Sequence, residues 1–188
     1  MTAFEVYAFR MVSPHPHVTV LENLYEGHGW KINLEEALLP DGRAHSAARV
    51  HRNDTAHILA FDDNGNVLML REFRPFYGAY LWMIPSGMMD KENMPDVAAQ
   101  RELREETGFR AQDLKKYFSI RNSEMLVQEN HIFMAKNLVI DPLPQDDGET
   151  IECHHLSVEQ AIANVLASPV IHTVSLVALL RYAREHGM

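Results

Sequence analysis

The sequence predicts an α/β fold, and three observations lead to this prediction. Segments rich in β-branched and aromatic residues recur along the chain and are typical of strands. An acidic segment that ends at Gly108 has the composition and the stop signal of a helix that follows a strand and a turn. Near the C-terminus, Ser157-x-x-Gln160 resembles a capping box, and apolar spacing after His172 indicates a last helix.

The elements can be placed in order from composition and turn signals. Strands are predicted over residues 4–12, 17–25, 30–34, 45–52, 55–61, 67–71, 81–84, 115–121, 130–135 and 150–156. Turns are predicted at 39–42 and at 62–66, where Gly65 suits a positive φ, and a loop at 72–80. Helices are predicted from near Pro95 to Gly108, over 157–167 and over 172–185, the last with Val174, Leu176, Val177, Leu179 and Leu180 as its apolar side.

Length and composition limit the classes of function. The 188 residues suffice for one sizeable core with an added subdomain, and we divide the chain at residues 1–50 and 51–188. A net charge of −9 argues against a nucleic-acid partner, because phosphate backbones need a basic surface. The single cysteine, Cys153, and the lack of a signal peptide or a long apolar run predict a cytoplasmic protein without a membrane partner.

The acidic helix carries an unusual stripe of like charge. Glu102, Glu105 and Glu106 fall within about one quadrant of the helix surface at 100° per residue, where like charges repel. A hard divalent cation with oxygen ligands would relieve this repulsion. The alternative is a solvated face in which Arg101 pairs with Glu105 at i,i+4. We favour the cation because Val97, Ala99 and Leu103 point in different directions and form no apolar stripe.

The spacing of these residues resembles the Nudix box, Gly-x5-Glu-x7-Arg-Glu-U-x-Glu-Glu-x-Gly-U, where U is a bulky apolar residue. The positions in register are Gly87, Arg101, Glu102, Leu103, Glu105, Glu106, Gly108 and Phe109. One position departs, since Asn93 stands where the family has its first Glu, with Glu92 just before it. Ile84-Pro85-Ser86-Gly87 before the box and residues 149–156 after it resemble the ADP-ribose pyrophosphatase branch of the family.

The resemblance implies an α/β/α sandwich around a mixed sheet and a strand-rich N-terminal subdomain through which such proteins form homodimers. It also implies the site. Glu102 and Glu106 would bind Mg²⁺, or Mn²⁺ as second choice, with the backbone carbonyl of Ser86 and with Glu105 shared or one step removed. Gly87 would let the backbone approach the metal and the helix. Arg101 would orient the loop by pairing with Asn93 or Glu92.

The resemblance implies the remaining roles as well. A glutamate in the loop after the box would be the general base, and that loop offers Glu124 and Glu129, of which Glu129 lies nearer to Phe133-Met134-Ala135. Arg71 and Arg74 would bind phosphate or ribose, or else are ordinary strand-edge charges. The substrate would be a nucleoside diphosphate sugar, ADP-ribose first and GDP-mannose as an alternative. A second alternative is a Nudix-fold module that binds such a ligand without turnover.

Overall fold

The computed structural model of the protein describes residues 18–91, 94–145 and 150–188. The predicted strand 4–12, Glu92 and Asn93 lie outside the described residues. The elements follow in this order: β1 Val18–Gly27, β2 Trp30–Leu38, β3 Ala44–Arg52, β4 Thr55–Ala60, β5 Val67–Arg74, β6 Ala79–Met83, β7 Ser86–Met88, α1 Pro95–Thr107, β8 Phe109–Ile120, β9 Leu126–Val127, β10 Asn130–Ile140, β11 Ile151–Leu156, α2 Val158–Ala167 and α3 Thr173–Glu185. Within the described ranges no helix is long and apolar enough to span a membrane.

The chain forms two compact units. The N-terminal unit holds the described residues up to Arg52 together with the segment Glu124–Val127. It contains one sheet of order β1-β2-β3-β9, antiparallel except for the parallel pair of β3 and β9. The predicted turn at 39–42 joins β2 to β3, and Gly42 adopts a φ of 83° there. Segment 124–127 therefore pairs with β3, although we placed it in the domain 51–188.

The main unit, Asn53–Ser123 with Gln128–Met188, is a sandwich with helices on both sides of β-sheet. One sheet has the order β7-β4-β10-β8 and is mixed, because β10 runs parallel to β4 and antiparallel to β8. A second sheet has the order β11-β5-β6. Successive side chains of β4 point to opposite faces of its sheet, and helices cover both faces. Ile58 packs with Leu103 of α1 on one face, and Leu59 packs with α2 and α3 on the other.

The helix ends follow the sequence signals. α1 begins at Pro95 and ends at Gly108, which has a φ of 77° and whose N–H donates to the carbonyl of Arg104. In α2 the Ser157 hydroxyl accepts from the N–H of Gln160, and the Gln160 side chain accepts from the N–H of Ser157. Both predicted signals are confirmed, since each satisfies backbone groups that a helix end leaves unpaired.

Some predicted boundaries and faces were wrong. The loop predicted at 72–80 is a hairpin turn of four residues between β5 and β6, and β8 begins directly after Gly108 rather than at residue 115. In α3 the exposed Val177 and Leu180 are not core, because the buried side continues through Ala178 and Tyr182 instead. In α1, Ala98, Ala99 and Leu103 are buried together and form the narrow apolar side that we did not predict.

Two histidines are held neutral between β4 and the start of α3. The Nε2 atom of His57 lies 2.9 Å from the hydroxyl of Thr55, which donates to Asn130 Oδ1, so Nε2 carries the proton. Among the described residues Nδ1 of His57 has no hydrogen-bond partner. Burial lowers the pKa of His57 to about 3, and repulsion from the His172 ring, when that ring is protonated, contributes to the shift. Burial and the charge of Arg74 lower the pKa of His172 to about 4.

We expect these histidines to make the fold sensitive to mild acid. Unfolding restores their ordinary pKa of 6.5, so the unfolded chain binds more protons between about pH 6.5 and pH 4. Stability is complete above pH 6.5 and falls as the pH drops, by at most roughly 2 kcal/mol per histidine between pH 7 and pH 5. Urea unfolding at several pH values measures this slope, which His172→Gln should reduce. Replacement of the exposed His45 is the control, and an equal reduction in that variant would contradict the assignment.

Candidate metal and catalytic site

Two buried carboxylates of α1 lie against the backbone of Ser86 and Gly87. Glu102 and Glu106 are 8% and 7% exposed, which is rare for glutamate and indicates that specific contacts hold them. The N–H of Ser86 donates to Glu106 Oε2 at 2.7 Å. A Cβ atom on Gly87 would lie 1.9 Å from Glu102 Oε1, so the absence of a side chain at this position lets the carboxylate rest on the backbone.

Strand pairing sets the position of the segment that contains Ser86 and Gly87. β7 pairs with β4, so that Gly87 faces Ala56 and Ser86 faces His57. The chain has just left β6, which belongs to the other sheet, and Pro85 makes the transition with its carbonyl accepting from the N–H of Ile58 at 2.8 Å. The predicted turn 84–87 is therefore a crossing between two sheets, opposite the buried side of α1.

Arg101 organises the outer side of the carboxylate group. Its guanidinium contacts Glu105 at 2.6 Å and Glu102 at 2.8 Å, and donates to the carbonyl of Met88 at 3.2 Å. Asp90 lies farther away, at 3.9 Å. The i,i+4 pair of Arg101 with Glu105 is confirmed, and Arg101 also ties α1 to the segment after Gly87. Its predicted contacts with Asn93 and Glu92 fall outside the described residues.

The donor set fits a small hard cation. In the described part of the chain no group of three His, Cys, Asp or Glu side chains is arranged to hold a metal ion by itself. Magnesium, however, is usually bound through one or two carboxylates, several waters and the phosphates of a substrate rather than by a complete protein cage. Glu102 and Glu106 supply two such carboxylates, and the nearby oxygen donors are all hard.

Glu129 lies near this segment across β4. Thr55 of β4 faces Met88 on one side and Asn130, the residue after Glu129, on the other. Two strand spacings amount to about 10 Å. Asp54 connects the two sides, since its carbonyl accepts from the N–H of Met89 and its carboxylate accepts from the N–H of Glu129, each at 2.8 Å.

The other candidate base belongs to a different unit. Glu124 lies in the N-terminal unit, where its carbonyl accepts from Arg49 at 2.9 Å. The carboxylate of Glu129 pairs with Arg121 at 3.2 Å and lies 4.0 Å from Nδ1 of His131. Glu129 is therefore the candidate that the main unit itself brings towards the carboxylates.

The two predicted substrate arginines each contact a carboxylate on the β11-β5-β6 sheet. Arg71 pairs with Glu152 at 3.1 Å, and its guanidinium lies 4.1 Å above the ring centre of Tyr80. Its hydrogen bond lowers the pKa of Glu152. Arg74 pairs with the buried Glu72 at 2.8 Å. Both arginines lie on β5, the strand that pairs with β6 on the way to Ser86.

Sequence reasoning missed two polar residues next to the site. Asp54 gave no signal, because a lone aspartate before a strand is ordinary. Ser175 did carry one: it is a serine within the apolar spacing of α3, where a buried hydroxyl requires a partner. Its exposure is 0%, and it accepts from the N–H of Ile84 at 2.9 Å.

Known proteins resemble this chain over most of its length. The NUDIX domain family model matches residues 51–174. The ADP-ribose pyrophosphatase of Bacillus subtilis (strain 168) is 29% identical over 144 residues, which cover 75% of this chain and 78% of the relative. The GDP-mannose pyrophosphatase of Yersinia enterocolitica is 32% identical over 148 residues, or 73% of this chain and 76% of the relative.

A solved structure described as that of an ADP compounds hydrolase has a TM-score of 0.72 with this chain. The match covers 91% of this chain and 96% of the other, and its 21% identity supports the fold alone. The family model covers well over half of the chain, so the protein belongs to the Nudix family. Within that family it is a pyrophosphohydrolase that resembles the ADP-ribose pyrophosphatases, as the sequence predicted.

We expect Gly87→Ala to displace the carboxylate of Glu102 and weaken binding of a divalent cation about tenfold or more. The fold should tolerate the change, because the clashing atoms are the end of a flexible side chain. Titration with Mn²⁺ in the absence of nucleotide measures the affinity, and thermal unfolding measures the fold.

Gly65→Ala is the matched control for this substitution. It has a φ of 80° in the turn after β4, with open space around a new Cβ, so it should lower stability and leave Mn²⁺ affinity unchanged. Equal Mn²⁺ affinity in wild type and Gly87→Ala would contradict the placement of the cation beside Glu102.

Proposed function

We propose that the protein is a Mg²⁺-dependent hydrolase that cleaves the pyrophosphate bond of a nucleoside diphosphate sugar. Water adds to one phosphorus, the bridging P–O bond breaks, and the products are a nucleoside monophosphate and a sugar phosphate. The observation that carries the proposal is the placement of Glu102 and Glu106 against Ser86 and Gly87. This group of oxygen ligands is suited to a cation that also binds phosphate.

Each residue of the site has a separate proposed role in the reaction. Glu102 and Glu106 would hold Mg²⁺, or Mn²⁺, together with the carbonyl of Ser86, and Glu105 would act beside them through its contact with Arg101. A cation held there would neutralise phosphate charge and lower the pKa of the attacking water. Glu129 would accept the proton of that water, supported by its place across β4 from Met88. Arg101 keeps the acidic helix and the segment after Gly87 together.

Substrate recognition is proposed for β5. Arg71 and Arg74 would bind the second phosphate or the ribose, exchanging their present carboxylate partners Glu152 and Glu72 for the substrate. We propose ADP-ribose as the first substrate, supported by the similarity to the Bacillus subtilis enzyme. GDP-mannose is the second candidate, because the GDP-mannose pyrophosphatase of Yersinia enterocolitica is also similar to this chain, with 32% identity. The acidic charge supports a small-molecule partner over a nucleic acid, and the single cysteine supports a cytoplasmic location.

A panel of ADP-ribose, GDP-mannose, UDP-glucose and NADH, each with Mg²⁺, tests the activity through release of nucleoside monophosphate. We expect the wild-type protein to turn over ADP-ribose. We expect the Glu106→Gln variant to keep its fold and to have a kcat at least about a hundredfold lower. The exposed Glu159→Gln in α2 is the control. Tight binding of one ligand without turnover would instead support a binding module. Failure to bind any ligand or divalent cation would contradict both functions.

The same assay separates the two candidate bases. We expect Glu129→Gln to lower kcat about a hundredfold or more, because the variant has no carboxylate to take the proton. Glu124→Gln is the matched variant from the same loop and should keep the kcat of wild type. The opposite pattern would assign the base to Glu124.

The N-terminal unit supports a homodimer. β1 is an edge strand of the described sheet and exposes Val20, Leu21, Leu24 and Tyr25, each between 44% and 54%. Apolar side chains exposed on an edge strand offer a surface that a second copy of the chain can cover. We expect sedimentation velocity to give a dimer that Leu24→Lys weakens, whereas Ile140→Lys, at a residue that is 83% exposed in the main unit, does not. A monomeric wild type at micromolar concentration would contradict the proposal.

A further inference from the structure

The outer edge of β6 is closed by serine hydroxyls instead of a strand. In the sheet of order β11-β5-β6, β6 pairs with β5 on one side. On the other side the N–H of Trp82 donates to the hydroxyl of Ser168 at 3.1 Å, and the N–H of Ile84 donates to the hydroxyl of Ser175 at 2.9 Å. Alternate N–H groups of a strand point to the same edge, so the two serines continue the strand's hydrogen bonding in register.

Each hydroxyl also makes a second hydrogen bond. Ser168 ends α2 and donates to the carbonyl of Asn164 at 3.2 Å. Ser175 lies in the first turn of α3, 2.6 Å from Nδ1 of His172. Because the Ser175 oxygen accepts from Ile84, its own hydrogen is available for the neutral ring of His172. This second bond fixes the direction in which the hydroxyl oxygen faces Ile84.

The hydrogen bond from the N–H of Ile84 to Ser175 is the last bond made by a backbone N–H before Ser86 and Gly87, against which the carboxylates lie. Pro85 follows, which has no N–H and a fixed φ. The next N–H is that of Ser86, which donates to Glu106 at 2.7 Å. The backbone of this crossing is therefore held by α3 through Ser175 at Ile84, by β4 through Ile58 at Pro85, and by α1 through Glu106 at Ser86. Ser168, by contrast, accepts from the N–H of Trp82, which lies within β6 two residues before Ile84.

We propose that Ser175 is a positioning residue for the cation site: its hydroxyl fixes Ile84 and so sets the place of Ser86 and Gly87 opposite Glu102 and Glu106. The inference rests on the proposed function, because it concerns the same site. It assigns to α3 a role in metal binding that does not involve contact with metal or substrate.

The test compares Ser175→Ala with Ser168→Ala. Both variants remove a buried hydroxyl that accepts from an N–H of β6 or of the residue directly after it, so a merely structural role would lower the melting temperature in both and leave cation affinity alone. We expect Ser175→Ala to raise the Mn²⁺ concentration for half-saturation about tenfold, in titrations without nucleotide, and Ser168→Ala to leave it unchanged. Ser175→Cys should behave as the alanine variant does, because a thiol is a weak acceptor of similar size.

The outcomes are distinguishable from failure of the proposed function. Wild type without Mn²⁺ binding or turnover contradicts the proposed function, and the inference with it. Normal Mn²⁺ binding and turnover in wild type, with equal affinities in the Ser175 and Ser168 variants, contradicts the inference alone. Amide exchange of wild type requires no variant and covers the case in which the variants fail to fold. Slow exchange at Ile84 that slows further on addition of Mn²⁺ supports the inference, and fast exchange at Ile84 overturns it.

Discussion

The carboxylates of Glu102 and Glu106 against the backbone of Ser86 and Gly87 are the interaction on which the rest of the structure around the site depends. Buried carboxylates are costly unless they accept hydrogen bonds or meet positive charge. Ser86 supplies an N–H, Arg101 supplies a guanidinium, and Gly87 supplies the space. The contributions of Ser86 and Gly87 require the chain to cross from β6 to β7 at one place, and the packing of α1 and α3 on the two sides of the sheet maintains that place.

Sequence and structure agree best where the signal is local. The start of α1 at Pro95, its end at Gly108, the capping box of α2 and the positive φ of Gly65 each depend on a few neighbouring residues. The Nudix resemblance was equally local, because the box is a fixed spacing along a strand, a turn and one helix. Its consequence for Gly87 could also be predicted, since only the absence of a Cβ permits the contact with Glu102.

What the sequence did not predict depends on partners distant in the chain. Val177 and Leu180 have apolar side chains at helical spacing, but the face of α3 that meets the sheet passes through Ser175, Ala178 and Tyr182. Small residues there do not stand out in a hydrophobic pattern. The serine does stand out, but the sequence does not show that its partner is Ile84, ninety-one positions away. Asp54 is similar, because its two bonds join segments that only the sheet brings together.

We propose that a divalent cation binds where the two glutamates meet the Ser86 and Gly87 backbone. Anomalous diffraction from crystals of the protein soaked in Mn²⁺ tests it most directly, since the method locates the cation without assuming activity. We expect an anomalous peak beside the carboxylates of Glu102 and Glu106 and its loss in the Glu106→Gln protein. A peak at another cluster, or an unchanged peak in that variant, would exclude this position for the cation.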